Sequence, residues 1–174
     1  YKLKIIDLLP QKTHGGSMRY VLTRAESKRS VNKNVLKIFK QEKKQKLNSI
    51  KSCIKFKNNC NLLKIKLKQT LRKLKKQKKI VCGYAATSKS TTILNYCKIG
   101  PELISYITDT TPEKIGKYSP GMHIPIINHK EFLKFKPNVA ILFAWNHQKE
   151  IFKKEKLFKK KGKWLTFFPN IKIW

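Results

Sequence analysis

The chain has 174 residues, 40% of them hydrophobic, which suits one ordinary domain, or one domain plus part of another, and excludes wholesale disorder. Its 41 Lys and Arg against 9 Asp and Glu give a formal charge of +32, a field that attracts polyanions non-specifically. The longest apolar run, Val139 to Trp145, is too short to cross a bilayer, and Tyr1 opens no charged-then-apolar leader, so the expectation is a cytoplasmic protein without a membrane partner.

In chain order, the first predicted element is a β-hairpin over residues 2–23, with Leu3, Ile5 and Leu9 on one arm and Met18, Tyr20 and Leu22 on the other. Gly15-Gly16 connects the arms. A hairpin alone cannot bury its apolar face, so it belongs to the edge of something larger. Two helices follow, over 31–45 with Asn32 as a cap and over 49–77 after Asn48-Ser49. On the second, Ile50, Ile54, Leu63, Leu67, Leu71 and Leu74 mark one apolar face.

From Lys79 the pattern changes to strand alternating with helix. Strands are expected at Ile80 to Tyr84, Leu103 to Ile107, Ile124 to Ile127, Val139 to Ala144 and Trp164 to Phe167. Helices are expected at Thr91 to Cys97, His129 to Phe135 and Gln148 to Lys160, the last with Ile151, Leu157 and Phe158 inward. Such alternation predicts parallel pairing with helices on both faces, a Rossmann-like three-layer α/β domain preceded by the hairpin and a two-helix, Lys-rich connector.

Between Ser27 and Lys79 there are 20 Lys and Arg against the single acid Glu42. The aromatics there, Phe39 and Phe56, fall on apolar stripes, so a solvated helix face is favoured over a nucleic-acid groove. Cys53, Cys60, Cys82 and Cys97 show no paired spacing, which favours buried thiols over zinc or disulfides; no metal site is expected.

The strongest chemical candidate is the segment Gly83 to Thr92, joining the first strand of the α/β domain to its first helix. Free backbone N–H groups and a positive helix end favour an anion there, with Lys89 and the hydroxyls of Ser88, Ser90 and Thr91 adding donors. A tight turn with hydroxyl caps explains the same residues equally well. Asp109, at the end of the second strand, can reach a ribose hydroxyl or cap its own turn. His123 sits in a loop stiffened by prolines, as a site residue or a structural hydrogen bonder. Trp145 and Asn146 follow the most apolar strand, at the edge where open sheets place ligands, although Trp145 serves equally as a core cap. His14, Ser17 and Arg19 cluster at the hairpin turn, where Arg19 can meet a phosphate or carboxylate. No triad, paired acids or metal cluster stands out, and composition and spacing stop at an α/β domain with a phosphate site.

Four ordered stretches go further. His14-Gly15-Gly16-Ser17-Met18-Arg19 resembles the H-G-G-S-L-R of sugar-nucleotide C-methyltransferases. Gly83 to Thr92, with Leu94-Asn95-Tyr96-Cys97, resembles their G-Y-G-A-x-A-K-G-N-T-L-L-N-Y-C. Asp109 and then Lys117 to Ile126 resemble D-x-x-P-x-K-x-G-K-Y-x-P-G-x-H-I-P-I, and Ala144-Trp145-Asn146 matches A-W-N. The sequence departs from the pattern at Ala85 and Ser90, where the family has glycine, and at Thr91, where it has Asn; the added Cβ atoms narrow the loop.

The resemblance implies that 1–24 is the closing hairpin of a central methyl-donor domain, 25–78 a helical connector, and 79–174 a C-terminal domain that binds a nucleotide-diphosphate sugar. It implies substrate contacts from Ser17, Arg19, Tyr84, Ala86, Ser88, Lys89, Thr91, Asn95, Asp109, His123, Trp145 and Asn146, with His14 a catalytic candidate. S-adenosyl-L-methionine, the family's zinc and its Glu-His pair are expected upstream, outside this chain. The implied reaction removes a proton beside a sugar ketone, and the enolate takes the methyl group from the donor's sulfonium. The competing expectations are a nucleic-acid-binding module using the Lys-rich helices, or a ligand-free structural remnant.

Overall fold

In the computed structural model, which describes residues 1–174, β1 (Leu3–Gln11) pairs antiparallel with β2 (Ser17–Arg24), Leu3 opposite Arg24 and Gln11 opposite Ser17. The expected hairpin is there, joined by a 3-10 turn at Thr13–Gly15. Helix α1 (Lys33–Lys44) starts at Asn32, whose side chain accepts from the Asn34 N–H at 3.0 Å. The side-chain amides of Asn32 and Asn34 also donate to Asp7, at 3.3 and 3.4 Å, fixing the helix start against β1. Helix α2 (Ile50–Lys76) starts after Ser49, whose hydroxyl accepts from the Ser52 N–H at 3.2 Å.

The chain forms two compact units, residues 1–58 and 59–174, with the division inside α2. Of the first unit's apolar side chains, Leu8 and Val35 are buried. Along α2, Leu67, Leu71 and Leu74 are buried, whereas Ile50 and Ile54 are exposed, as are Phe39 and Phe56. Helical spacing identifies which face is apolar; it does not say how far along its length that face is covered. The thiols divide likewise. Cys82 and Cys97 are buried as expected, but Cys53 is exposed and Cys60 half-buried.

The second unit carries a six-stranded sheet in the order β5-β4-β3-β6-β7-β8. Strands β3 (Val81–Tyr84), β4 (Ile107–Asp109), β5 (Ile126–Asn128), β6 (Val139–Leu142) and β7 (Lys163–Thr166) are parallel, and β8 (Lys172–Ile173) closes antiparallel on β7. Because β3 and β6 are buried on both faces, they read as continuous apolar runs. Their side chains alternate between two cores. Val81 and Ile141 join Leu67, Leu71 and Leu94 on one side, while Cys82, Ala140 and Leu142 join Phe158 and Trp164 on the other. Helices α2 and α3 (Ser88–Cys97) thus cover one face, and α4 (Gln148–Lys154) and α5 (Lys156–Lys161) the other. The result is the expected Rossmann-like three-layer α/β fold.

Several boundaries differ from the periodicity. The Thr91 to Cys97 helix begins earlier, at Ser88, because the Thr87 hydroxyl caps it by accepting from the Ser90 N–H at 3.1 Å. The strand expected from Leu103 begins at Ile107, because the N–H groups of Leu103 and Ile104 turn back to the Gly100 carbonyl at 3.1 Å. Instead of a helix over His129 to Phe135 there is a 3-10 turn at His129–Glu131. The single helix over Gln148 to Lys160 is two, broken at Glu155 (φ −93°, ψ 46°). Phe158, seven residues after Ile151, lies on the same stripe and is buried, whereas Leu157, expected inward, falls off that stripe and is 63% exposed. No helix is long and apolar enough to cross a membrane.

Candidate functional site at the carboxyl edge of the sheet

The strand order reverses between β3 and β6: β4 and β5 extend the sheet on one side, β7 and β8 on the other. At such a switch point the loops leave on opposite faces and open a crevice beyond the strands' carboxyl ends. Gly83 allows β3 to pack there. A Cβ at this position would lie 2.6 Å from the Phe143 ring and 3.0 Å from Ile107. The chain then bends at Ala85, which has a left-handed φ of 74° and donates its N–H to the Thr108 carbonyl at 2.9 Å.

Asp109 holds this bend from the end of β4. Its carboxylate accepts from the Ala86 N–H at 2.6 Å and the Thr111 N–H at 2.8 Å, and the Lys114 ammonium lies 3.8 Å away. Burial alone would raise its pKa; the hydrogen bonds from Thr111 and Ala86 and the Lys114 charge outweigh that and hold the carboxyl below its ordinary value. Of the N–H groups from Ala86 to Thr91, Ala86 is thus taken by Asp109, Thr87 by the Ala85 carbonyl, and Ser90 and Thr91 by Thr87. The N–H groups of Ser88 and Lys89 head α3 and have no intrahelical acceptor.

Lys89 joins the start of α3 to the turn after β6. Its ammonium donates to the Asn146 side-chain oxygen at 3.0 Å and stands 5.2 Å from the centroid of the Trp145 ring. Trp145 and Asn146 lie on the 3-10 turn Trp145–His147 that follows β6. Trp145 is fixed edge-on to Phe167 at 5.3 Å and tilted against Phe168 at 5.7 Å. Residues predicted from two distant segments therefore meet at one point. Lys89, Trp145 and Asn146 line neither of two clefts at this edge, the first of about 290 Å³ and lined by Ala86, Ser88, Thr91, Glu113, Lys114 and Lys117, among others. The second, of about 250 Å³, is lined by Tyr84, Asp109, His129, His147, Glu150 and Lys154, among others. A larger cavity, about 870 Å³, lies at the opposite, amino edge of the strands and touches none of these residues.

The remaining predicted residues are placed as follows. Asn95 donates to the carbonyls of Thr91 and Pro120, at 2.8 and 2.9 Å, and so clips α3 to the Ser119–His123 loop. Gly121 (φ 79°) makes that clip possible, since a Cβ there would sit 2.0 Å from the Asn95 oxygen. His123 is exposed, with φ 52°, and lines neither cleft. His14, Ser17 and Arg19 belong to the first unit, exposed at the hairpin turn, where His14 has φ 53°.

One buried cluster escaped the sequence. The Tyr84 hydroxyl donates to Glu155 at 2.8 Å, and His129 Nε2 lies 3.0 Å from the same carboxylate oxygen. Burial pushes the Tyr84 hydroxyl's pKa well up, and the hydrogen bond to Glu155 and its charge add to this. The sequence held a signal for it. Ile151, Glu155 and Phe158 share the i, i+4, i+7 stripe of an amphipathic helix, which places an acid where an apolar residue is expected. No group of three or more His, Cys, Asp or Glu side chains is arranged to hold a metal ion.

Fold and site together define a Rossmann-like domain with a lysine at its switch point. The family profile of the C-methyltransferase C-terminal domain matches residues 12–169, and the chain belongs to that family. It is 28% identical over 160 residues to C-methyltransferase NovU of Streptomyces niveus, a match covering 92% of this chain and 38% of that protein. The chain therefore spans well under half the length of this curated relative.

Proposed function

We propose that this domain holds the diphosphate of a nucleotide-linked keto-sugar for an S-adenosyl-L-methionine-dependent C-methyltransferase, and helps close the cleft in which that sugar reacts. The observation that carries the proposal is Lys89, a first-turn residue of α3 whose ammonium is held over Trp145 by Asn146. An anion at this point gains the helix end and a full positive charge together. Trp145 offers an apolar wall for a base or sugar, and Asn146 an amide to orient it.

The methyl donor itself does not suit this crevice. Its sulfonium would face the Lys89 ammonium, and Asp109, the carboxylate best placed for a ribose, is turned onto the Ala86 and Thr111 N–H groups. The domain's part is positioning and exclusion of water rather than methyl transfer. A cytoplasmic location belongs to the same proposal and suits four unpaired thiols.

A charge-assisted contact of this kind contributes about 1.5–3 kcal/mol, so Lys89→Ala should weaken binding of nucleoside diphosphates by roughly ten- to a hundredfold. Lys89→Arg should restore part of the loss, because a planar fork fits a point-charge site poorly. Calorimetric titration with a panel of nucleoside diphosphates checks this. Unchanged affinity in Lys89→Ala, with circular dichroism unaltered, would mean that the turn is structural and nothing more.

A further inference from the structure

The amino edge of the sheet carries a different chemistry. There a cavity of about 870 Å³ lies within the roughly 300–1,000 Å³ typical of ligand sites. Six lysines line it: Lys73, Lys79, Lys159, Lys160, Lys161 and Lys163; no acidic residue does. They converge from the end of α2, the segment before β3, and the α5–β7 junction, so tertiary structure alone gathers them. None takes part in an ion pair, the chain's four pairs lying elsewhere. Ammonium groups around one concavity repel within a Debye length of about 8 Å, and a multiply charged anion relieves that repulsion.

The wall also holds an aromatic side chain. Trp174 lines the cavity with 54% of its surface exposed. Its indole N–H is pinned to the Thr166 hydroxyl at 3.1 Å, and its ring meets Phe152 edge-on at 6.2 Å. A fixed, half-exposed indole beside a row of cations is the combination that stacks bases while phosphates are tracked. The lysines alone would suit any polyanion; the pinned indole favours one that carries flat rings. We infer that this cavity binds single-stranded nucleic acid, with Lys159 to Lys163 and Lys73 on phosphates and Trp174 against a base. It is separate from the Lys89 crevice and does not depend on the proposal made for it.

The test uses the 174-residue chain and a fluorescein-labelled oligouridine of about ten nucleotides, a length within one such site. The triple variant Lys159→Ala, Lys161→Ala, Lys163→Ala should lose at least about tenfold in affinity. Its log–log salt slope should flatten by about 2, three phosphate contacts at about 0.7 each. Trp174→Ala should lose about fivefold or more, the low end of stacking on one base. The matched triple Lys40→Ala, Lys43→Ala, Lys44→Ala on α1 should change little. Photocrosslinking of a 4-thiouridine oligonucleotide to the unaltered chain should map to Trp174 and the Lys159–Lys163 segment, which needs no variant to fold. Equal losses in the two triples, no effect of Trp174→Ala, crosslinks concentrated on α1, or equally effective competition by inorganic polyphosphate of matched charge would each overturn the inference.

Discussion

Ala85 shows how one methyl group loads a turn. Its left-handed φ of 74° disfavours any side chain by about 1–2 kcal/mol. Glycine would relieve that, but it adds about 0.4–1 kcal/mol of unfolded-state entropy and gives up the burial of part of a methyl group. The terms nearly cancel, so Ala85→Gly should stay within about 0.5 kcal/mol of the parent in urea unfolding. Ala85→Val should cost about 2 kcal/mol, because a β-branched residue tolerates this backbone worst. A Val variant as stable as the parent would mean that the turn relaxes in solution.

At the scale of elements, the break between α4 and α5 is explained by what Glu155 binds. A continuous helix would keep the spacing regular; instead the chain leaves the helical basin where the carboxylate turns in to Tyr84 and His129. Glu155 is 8% and Tyr84 7% exposed, so the Tyr84 hydroxyl relies on Glu155 for its buried partner, while Glu155 has both Tyr84 and His129. Tyr84→Phe and Glu155→Leu should each destabilise by about 1–3 kcal/mol, since each leaves a buried polar group short of a bond. The double variant should cost clearly less than the sum. Additive losses in a double-mutant cycle would show that the contact contributes nothing. The cluster ties β3 to the break between α4 and α5, and so anchors the helices that follow the Trp145–His147 turn.

At the scale of the whole molecule, the two compact units are unequally furnished. The first has Leu8 and Val35 as its buried apolar side chains, whereas the second has two extensive cores on either side of a parallel sheet. Local opening free energy follows buried apolar contact. In the 174-residue chain, amides of β1, β2 and α1 should therefore exchange with solvent at least about a hundredfold faster than those of β3 and β6. Hydrogen-exchange mass spectrometry reads this directly. Equal protection in both units would show that they unfold as one.

Periodicity and turn chemistry decided much of this molecule from the sequence. The runs at Val81 to Tyr84 and Val139 to Leu142 are apolar because both faces are covered, and that pattern already meant parallel strands under helices. Asn32 capped its helix as a short polar side chain must. The Lys89 segment and the Trp145-Asn146 pair were each visible as sheet-edge candidates, although the sequence could not say that they touch. Their meeting depends on β6 lying beside β3, which is a fact of strand order. Tertiary structure likewise decided which half of the α2 stripe is buried and that Asn95 holds a loop. It also drew Glu155 inward and gathered six lysines around Trp174. The reason is one of range. Local sequence sets backbone preference and the direction of each side chain, but burial and partnership belong to residues far apart in the chain, whose positions are fixed only when the sheet closes.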